Sequence, residues 1–227
     1  MQVTEIYKSV QGESTHAGLA CVFVRLTGCN LRCMWCDSEY TFSGGHRMTV
    51  EEVLEEVAQL SPHGGLVEIT GGEPMLQERE VVPLMQHLLD EGYTVLLETS
   101  GERPLDHVPK GVVKIVDVKC PNSGEGGTFH MENLEALGIN DEVKFVLSDR
   151  ADYEFAREFV GRHHLERRVN AVLFSPAFRK EASGGRDTSH CLLDPRELAE
   201  WMLADNVPAR LGLQIHKFIW DPALKGV

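Results

Sequence analysis

The sequence predicts an α/β fold, with strands that alternate with helices around a parallel sheet. Short apolar runs rich in β-branched residues recur along the chain, amphipathic helical patterns separate most of them, and turn residues bound both. Six or seven such strands predict a barrel or a partial one, in which chemistry gathers at the carboxyl ends of the strands. With 227 residues, 42% of them hydrophobic, the chain can bury one large core, so we expect a single domain over residues 1–227.

The amino-terminal half is predicted to follow this alternation closely. A strand from Glu5 runs into a polar turn, and residues 22–27 form the strand that delivers a cysteine-rich loop. Thr49-Val-Glu-Glu52 is a capping box that starts a helix. The next predicted elements are a strand over 66–70, a helix carrying Val81, Leu84, Met85, Leu88 and Leu89, and a strand over 93–99.

The carboxyl-terminal half is predicted to be less regular. Pro104 and Pro109 interrupt the stretch before the strand at 112–119, so a crossover helix is missing or very short there. Asp194 and Pro195 announce the last helix as its N-cap and first residue. The other predicted elements are strands over 142–147, 169–174 and 211–215, a helix over 152–163, and a long functional or mobile loop over 175–193.

Composition excludes several classes of partner. The chain has 35 acidic and 22 basic residues, a net charge of -13, and no basic run that could follow a phosphate backbone, so we expect no nucleic-acid partner. It has no apolar run near the ~20 residues that span a bilayer and no signal-peptide pattern, so we expect no membrane partner and a cytoplasmic location. Its six cysteines then favour reduced thiols and metal chemistry over disulfides.

Three of those cysteines form the most informative motif, Cys29-Asn-Leu-Arg-Cys33-Met-Trp-Cys36. Three thiolates on a short loop can hold three corners of an iron–sulfur cube and leave its fourth iron open to a small-molecule ligand. The alternative is zinc, which thiolates of this spacing also bind, in a zinc-stabilised binding module. A closed zinc site needs a fourth ligand, and the sequence offers no second CxxC or HxxxH pattern.

The cysteine loop resembles the signature of the radical S-adenosylmethionine enzymes, including the aromatic Trp35 before the third cysteine. In that superfamily the cofactor's amino and carboxylate groups chelate the free iron. Gly71-Gly72-Glu73-Pro74 resembles the superfamily's GGE element, and a glycine pair after a strand lets the backbone approach a ligand closely.

Further motifs narrow the resemblance to the 7-carboxy-7-deazaguanine synthases, a family within that superfamily. They occur in order as Val10-Gln-Gly-Glu13, Phe23-Val-Arg-Leu26, Cys36-Asp-Ser38, Thr70-Gly-Gly-Glu-Pro74, Glu98-Thr-Ser-Gly101, Asp117-Val-Lys-Cys-Pro121 and Gln214-Ile-His-Lys217. The resemblance implies a modified, incomplete (β/α) barrel with fewer helices than strands, a homodimer, and an electron donor such as flavodoxin or ferredoxin. It implies a ring contraction of 6-carboxy-5,6,7,8-tetrahydropterin to 7-carboxy-7-deazaguanine with loss of ammonia, begun by hydrogen abstraction at C6. A glycyl-radical-enzyme activase, which carries the same cysteine spacing, is the alternative within the superfamily.

The resemblance also implies three sets of site residues. The cluster would be held by Cys29, Cys33 and Cys36, and Mg2+ by Ser38, where the family has threonine. S-adenosylmethionine would be contacted by Trp35, Cys36, Asp37, Gly72, Glu73, Asp117, Val118, Lys119 and Ser175. The pterin would be contacted by Val10, Gln11, Gly12, Glu13, Arg25, Thr70, His216 and Val227.

Overall fold

The computed structural model describes residues 1–180, 186–221 and 224–227. Its strands are β1 Gln2–Val10, β2 Ala20–Leu26, β3 His46–Arg47, β4 Leu66–Gly71, β5 Thr94–Thr99, β6 Val113–Asp117, β7 Glu142–Leu147, β8 Ala171–Pro176 and β9 Arg210–Leu211. Its helices are α1 Val50–Leu60, α2 Glu78–Asp90, α3 Asn133–Ala136, α4 Arg150–His163, α5 Pro195–Asp205 and α6 His216–Ile219. Part of the predicted loop over 175–193, residues 181–185, lies outside the described residues. None of the described helices is long and apolar enough to cross a membrane.

The strands form one nine-stranded sheet in the order β3-β1-β2-β4-β5-β6-β7-β8-β9. From β2 to β9 all neighbours are parallel, and the described residues show no pairing between the edge strands β3 and β9. The predicted α/β fold, an incomplete barrel with fewer helices than strands, is therefore confirmed. Two strands depart from the prediction, because β1 is antiparallel to β2 and the unpredicted β3 is antiparallel to β1. Residue alternation indicates a strand but not its direction.

The predicted helix starts are confirmed in detail. Before α1, the Thr49 hydroxyl accepts from the Glu52 amide at 3.2 Å, and the Glu52 carboxylate accepts from the Thr49 amide at 2.8 Å. Before α5, the Asp194 carboxylate accepts from the Arg196 amide at 2.8 Å, and Pro195 takes the first helical position. These bonds satisfy amide groups that the first turn of a helix leaves without partners.

The predicted lack of a crossover helix between β5 and β6 is also confirmed for the described chain. A buried side chain holds this connection instead. The Asn133 amide nitrogen donates to the carbonyls of Gly101 and Arg103, both at 2.8 Å, and its oxygen accepts from the Leu105 amide at 2.9 Å. One asparagine thus replaces backbone bonds that a helix would have made internally.

The predicted strand over 211–215 is wrong beyond its first residue. β9 ends at Leu211, and the Gly212 amide still donates to Phe174 on β8 at 2.8 Å. The chain then leaves the sheet, because the Ile215 amide donates to the Gly12 carbonyl at 2.9 Å and α6 begins at His216. This turn carries the carboxyl-terminal segment across the carboxyl ends of the strands.

Candidate active site

A cavity of about 300 Å³ opens at the carboxyl ends of the parallel strands. All but three of the predicted site residues line it, so the structure brings the motifs from both ends of the sequence together. The predicted residues in its wall are Val10, Gln11, Gly12, Glu13, Arg25, Cys29, Cys33, Trp35, Cys36, Asp37, Ser38, Thr70, Gly72, Asp117, Lys119, His216 and Val227.

The three exceptions, Glu73, Val118 and Ser175, are buried and lie outside the cavity wall. The Glu73 carboxylate accepts four hydrogen bonds from protein groups, from the Met75 amide, the Thr99 hydroxyl, and the amide and hydroxyl of Ser100. Its oxygens are therefore held by protein donors, and its contact with S-adenosylmethionine stays a prediction.

Val118 and Ser175 are held within the sheet. The Val118 amide donates to the Lys144 carbonyl at 2.9 Å. The Ser175 hydroxyl packs against the backbone of Gly212, where an added Cβ would lie 2.7 Å from it. The ligand contacts of these two residues stay a prediction, since both residues follow the sheet and lie outside the cavity wall.

The cysteine loop is fixed by backbone contacts to the loop after β4. The Glu73 amide donates to the Gly28 carbonyl at 2.8 Å, and an added Cβ at Gly72 would lie 2.1 Å from that same carbonyl oxygen. On its other side the Met34 amide donates to the Ser123 carbonyl at 2.9 Å. Gly72 is therefore needed for the approach of two loops, in addition to any approach of a ligand.

The three cysteines suit a cluster better than a single ion. All three line the cavity and none forms a disulfide. Among the described residues, however, no group of three or more His, Cys, Asp or Glu side chains converges closely enough to hold one metal ion. Burial raises the pKa of the Cys29 thiol, and it raises that of Cys33 to about 11. Thiols spaced around a cluster need not converge on one atom, so this arrangement is compatible with an iron–sulfur cluster.

Next to the cysteines, Asp117 and Lys119 offer one open acceptor. The Lys119 ammonium donates to Asp117 Oδ2 at 2.7 Å, whereas Asp117 Oδ1 is buried and has no hydrogen-bond partner in the described part of the chain. Burial alone would lower the pKa of Lys119, but Asp117 and the Cys33 thiol outweigh it and raise that pKa. A buried acceptor without a donor is costly, so Oδ1 is suited to a hydroxyl or amino group of a bound molecule.

A charged network of Glu13, Glu68, Glu98 and Lys144 lines the cavity and is called its floor here. The buried Lys144 ammonium donates to Glu13 Oε2 at 2.7 Å and also to the Glu98 carboxylate, while the Gln214 amide donates to Glu13 Oε1 at 2.7 Å. Burial would raise the pKa of Glu13, but Lys144, His216 and Gln214 together lower it to about 2. Glu13 is therefore an ionised acceptor at neutral pH.

Glu68 is the third carboxyl of the floor and has the opposite protonation. Its side chain is almost completely buried on β4, and the Gln11 amide donates to it. Burial raises its pKa well above the ordinary value, and the neighbouring carboxylates of Glu98 and Glu13 raise it further. With one lysine among three carboxyls, one of them keeps its proton, and Glu68 is that one.

Arg25 projects from β2 beside this floor. Its Nε donates to Glu5 at 3.0 Å and its Nη2 donates to the Tyr7 hydroxyl at 2.6 Å, and the Tyr40 hydroxyl donates to the same Glu5 oxygen at 2.8 Å. Burial would lower the pKa of Arg25, but the neighbouring Tyr7 and Tyr40 and the Glu5 carboxylate keep it raised. Arg25 is thus an oriented cation that can bind a carboxylate.

The carboxyl-terminal segment closes one side of the cavity. An added Cβ at Gly12 would lie 2.0 Å from His216 Nδ1, so the imidazole packs directly on the Gly12 backbone. Burial lowers the pKa of His216. Lys217 pairs with Asp37 at 2.6 Å, and Lys225 lies 4.2 Å from the centre of the Tyr40 ring. Ser38, the predicted magnesium ligand, has its hydroxyl 3.8 Å from Cys36 Sγ in the cavity wall.

Comparisons with known proteins identify the family of this chain. A sequence model of the Radical SAM superfamily matches residues 23–116. The chain is 67% identical over 227 residues, the full length of both chains, to the 7-carboxy-7-deazaguanine synthase of Koribacter versatilis. The chain belongs to the 7-carboxy-7-deazaguanine synthase family. It is also 38% identical to the enzyme of that name from Chlorobaculum tepidum, over 100% of this chain and 97% of the other.

A solved structure supports the fold of this family member. The crystal structure of QueE from Escherichia coli has a TM-score of 0.72 to this chain, with 21% sequence identity, and covers 93% of this chain and 92% of that one. The predicted membership and the predicted fold are therefore both confirmed.

Sequence reasoning missed several residues that line the cavity of this family member. They include Tyr7, Tyr40, Glu68, Glu98, Lys144 and Lys217. Glu98 and Lys217 belong to motifs that carry the family resemblance, but the resemblance implies no ligand contact for either residue. Glu68 is the one charged residue of the otherwise apolar β4, and Lys144 lies between apolar neighbours in β7, a signal that could have placed both of them at a site.

Proposed function

We propose that this chain converts 6-carboxy-5,6,7,8-tetrahydropterin to 7-carboxy-7-deazaguanine with loss of ammonia, a step toward queuosine and related 7-deazapurines. The name shared by relatives that match its whole length supports this product. The observation that carries the proposal is that one cavity holds both the three-cysteine loop and a hydrogen-bonded polar floor. A radical enzyme needs its cofactor and its substrate side by side in such an enclosure.

The cofactors of this radical SAM family are a [4Fe–4S] cluster, S-adenosylmethionine and Mg2+. Cys29, Cys33 and Cys36 would hold the cluster. The cofactor would be contacted by Trp35, Asp37, Gly72, Asp117 and Lys119. When bound, these groups supply one-electron cleavage of a sulfonium and the removal of a hydrogen atom from substrate. Ser38 would offer its hydroxyl to Mg2+, which accepts hard oxygen donors with water and substrate completing its shell.

The pterin would lie on the polar floor. A flat heterocycle with amide-like edges needs amide and carboxylate partners, which Gln11 and the ionised Glu13 provide. The Arg25 guanidinium, already oriented by Glu5 and Tyr7, would bind the substrate carboxylate. Contacts from Val10, Gly12, Thr70, His216 and Val227 would complete the site.

Several residues would act by holding others in place. Lys144 keeps Glu13 ionised as an acceptor, because the two form a buried ion pair. Glu73 orients Ser100, and Ser100 lines the cavity. The segment over 214–217 limits the access of water, which would quench a radical or compete for the floor.

The enzyme acts on a small molecule with an external reductant, as radical SAM enzymes do in general. We further propose flavodoxin or ferredoxin as that reductant, a homodimer as the assembly, residues 1–227 as one radical SAM domain, and the cytoplasm as the location. The six free cysteines support a reducing compartment.

The test is an anaerobic incubation of the reconstituted protein with S-adenosylmethionine, dithionite, Mg2+ and the pterin, followed by mass analysis. The expected result is a product with the mass of 7-carboxy-7-deazaguanine, released together with ammonia. A Cys36→Ala protein is the control and should give none. An unchanged pterin with a fully reconstituted cluster would contradict the proposal, and a glycyl radical on an added partner protein would favour the activase.

A further inference from the structure

The segment over residues 214–217 contacts both halves of the cavity. On the substrate side, the Gln214 amide donates to Glu13 at 2.7 Å, and the Ile215 amide donates to the Gly12 carbonyl at 2.9 Å. On the cluster side, the Lys217 ammonium lies 2.6 Å from Asp37 Oδ2. Asp37 directly follows Cys36. Four consecutive residues therefore connect the substrate loop to the cysteine loop.

Lys217 is held in a way that makes this connection specific. Its side chain is 6% exposed, and its ammonium lies 4.9 Å from the centre of the Phe178 ring. A buried ammonium needs a charged or hydrogen-bonding partner, and Asp37 is the carboxylate that the described residues provide. The side chain of Lys217 is thus held by packing, and its ammonium is held by Asp37 of the cysteine loop.

A second buried lysine pair shows what a purely structural arrangement looks like. Lys114 lies 3.0 Å from Asp141, and both side chains are under a tenth exposed. Asp141 also accepts from the amides of Lys114 and Gly138, both at 2.8 Å, so local backbone bonds hold it without the lysine side chain. Asp37 differs, because its side chain is 49% exposed and its carboxylate is paired with the Lys217 ammonium from another segment.

We propose that Lys217 is a positioning residue that couples closure of the 214–217 segment over the substrate to the geometry of the cysteine loop. This inference rests on the proposed function. Coupling between two sites is reciprocal, so substrate that stabilises the closed segment also stabilises Asp37 and the loop beside the cofactor. Cleavage of S-adenosylmethionine is then favoured when the substrate is in place.

The first test measures 5′-deoxyadenosine released per product formed, in reconstituted protein with dithionite, S-adenosylmethionine and the pterin. Lys217→Met keeps the length of the stem and removes the charge, and it should raise this ratio by about tenfold, a typical size for coupling between sites. Asp37→Asn should also raise it, by an amount that includes any lost contact with the cofactor, and adding Lys217→Met to Asp37→Asn should raise it no further, because the ion pair is already removed. Lys114→Met is the matched control, and it should lower thermal stability while leaving the ratio at the parent value.

The second test needs no turnover. Hydrogen exchange of the reconstituted protein should be faster over residues 29–38 and 214–219 together in Lys217→Met, and unchanged there in Lys114→Met. A parent-like ratio with parent-like exchange in Lys217→Met would overturn the proposal, as would additive effects of Lys217→Met and Asp37→Asn. If the parent makes no product from the pterin but the exchange difference is present, the proposed function fails and the coupling stands.

Discussion

The floor of the cavity differs from its cofactor wall, the part lined by the three motif cysteines, Asp117 and Lys119. The difference is how many of the buried polar groups have hydrogen-bond partners within the protein. On the floor, Lys144 joins two carboxylates, and Gln11 and Gln214 bind the third carboxyl and Glu13. On the cofactor wall, Asp117 Oδ1 is buried without a donor in the described chain. Burial raises the pKa of the Cys29 and Cys33 thiols there.

This difference indicates that the two parts of the cavity depend to different degrees on bound ligands. The floor is preorganised, because its charges already have partners that fix their positions and protonation. The wall is left incomplete, and a cluster and its ligand would supply the missing partners. Changes on the wall should therefore affect cofactor retention, and changes on the floor should affect substrate alone.

The largest effect is expected on the wall. Cys36→Ala should abolish the brown colour, the content of about four irons and four sulfides per chain, and turnover, because a cube held by two thiolates is not retained. Anaerobic iron and sulfide analysis checks this. Cys191→Ala, which changes a buried cysteine outside the motif, should keep the parent values. A full cluster and normal activity in Cys36→Ala would refute the assignment of the loop.

The next largest effect is expected on the floor. Lys144→Met leaves the partly buried Glu13 and Glu98 without their cation, and breaking a fully buried ion pair costs about 3–5 kcal/mol. Pterin affinity should fall by about a hundredfold or more, with the cluster spectrum and S-adenosylmethionine affinity unchanged. Equilibrium binding of both ligands measures this, with Lys114→Met as the control for a lost buried lysine. Equal losses of the two affinities would remove the distinction between floor and wall.

An intermediate effect is expected at Arg25. Arg25→Lys should lower kcat/KM for the pterin by more than about tenfold, because lysine cannot copy the two parallel hydrogen bonds of a guanidinium. Production of 5′-deoxyadenosine without product should survive, as it should in His216→Ala. Steady-state kinetics with both readouts decide the matter. Loss of cofactor binding with normal pterin affinity would place Arg25 on the wall instead.

The two carboxyls of the floor predict opposite dependences of stability on pH. The pKa of Glu13 is about 2 in the folded protein and about 4.3 in the unfolded chain. Ionised Glu13 therefore adds to the free energy of unfolding above the unfolded pKa, and this stabilisation is lost as pH falls toward 2. The pKa of Glu68 is raised in the folded protein, so protonated Glu68 stabilises the fold at low pH. This stabilisation is lost as pH rises above the pKa of a glutamate in the unfolded chain.

Urea unfolding of cluster-free protein at several pH values tests these signs. Relative to the parent, Glu13→Gln should lose less free energy of unfolding between about pH 4.5 and 2, and Glu68→Gln should gain stability between about pH 4 and 8. Circular dichroism controls for folding before unfolding. Parallel pH profiles for the parent and both variants would show that neither carboxyl has a shifted pKa.

The smallest effect is expected at Ser38. Ser38→Ala should weaken stimulation by Mg2+ a fewfold and leave the cluster spectrum unchanged, since the hydroxyl is an oxygen ligand and the cluster takes sulfur. Ser38→Thr should keep the stimulation. Magnesium titrations of both proteins provide the comparison, and identical curves for Ser38→Ala and the parent would remove Ser38 from the metal site.

Motifs that are continuous in sequence were predictable, and contacts between strands were not. The cysteine loop, the capping box at Thr49 and the missing crossover after Gly101 follow from local spacing, and the structure confirms the last two. The pairing of Lys144 with Glu13 joins residues 131 positions apart, so only the fold brings them together.

Local patterns do not show whether a motif residue also serves the fold. The family resemblance implies a ligand contact for Glu73, which stays a prediction, and the structure adds four protein donors to its carboxylate. The stretch from Leu211 has the apolar character of a strand, but a bond from Ile215 to Gly12 draws it across the cavity. There a long-range contact outweighs the local preference.

The floor is preorganised by the protein alone, whereas the cofactor wall needs the cluster. This difference is tested most directly by measuring ligand binding with and without the cluster. Calorimetric titration of chelator-treated, folded protein should give a pterin affinity lowered by no more than about tenfold, the size of the coupling through Lys217, whereas the affinity for S-adenosylmethionine should fall by more than about a hundredfold. A pterin affinity that falls together with the cofactor affinity would contradict the account, because the floor would then depend on the cluster for its structure.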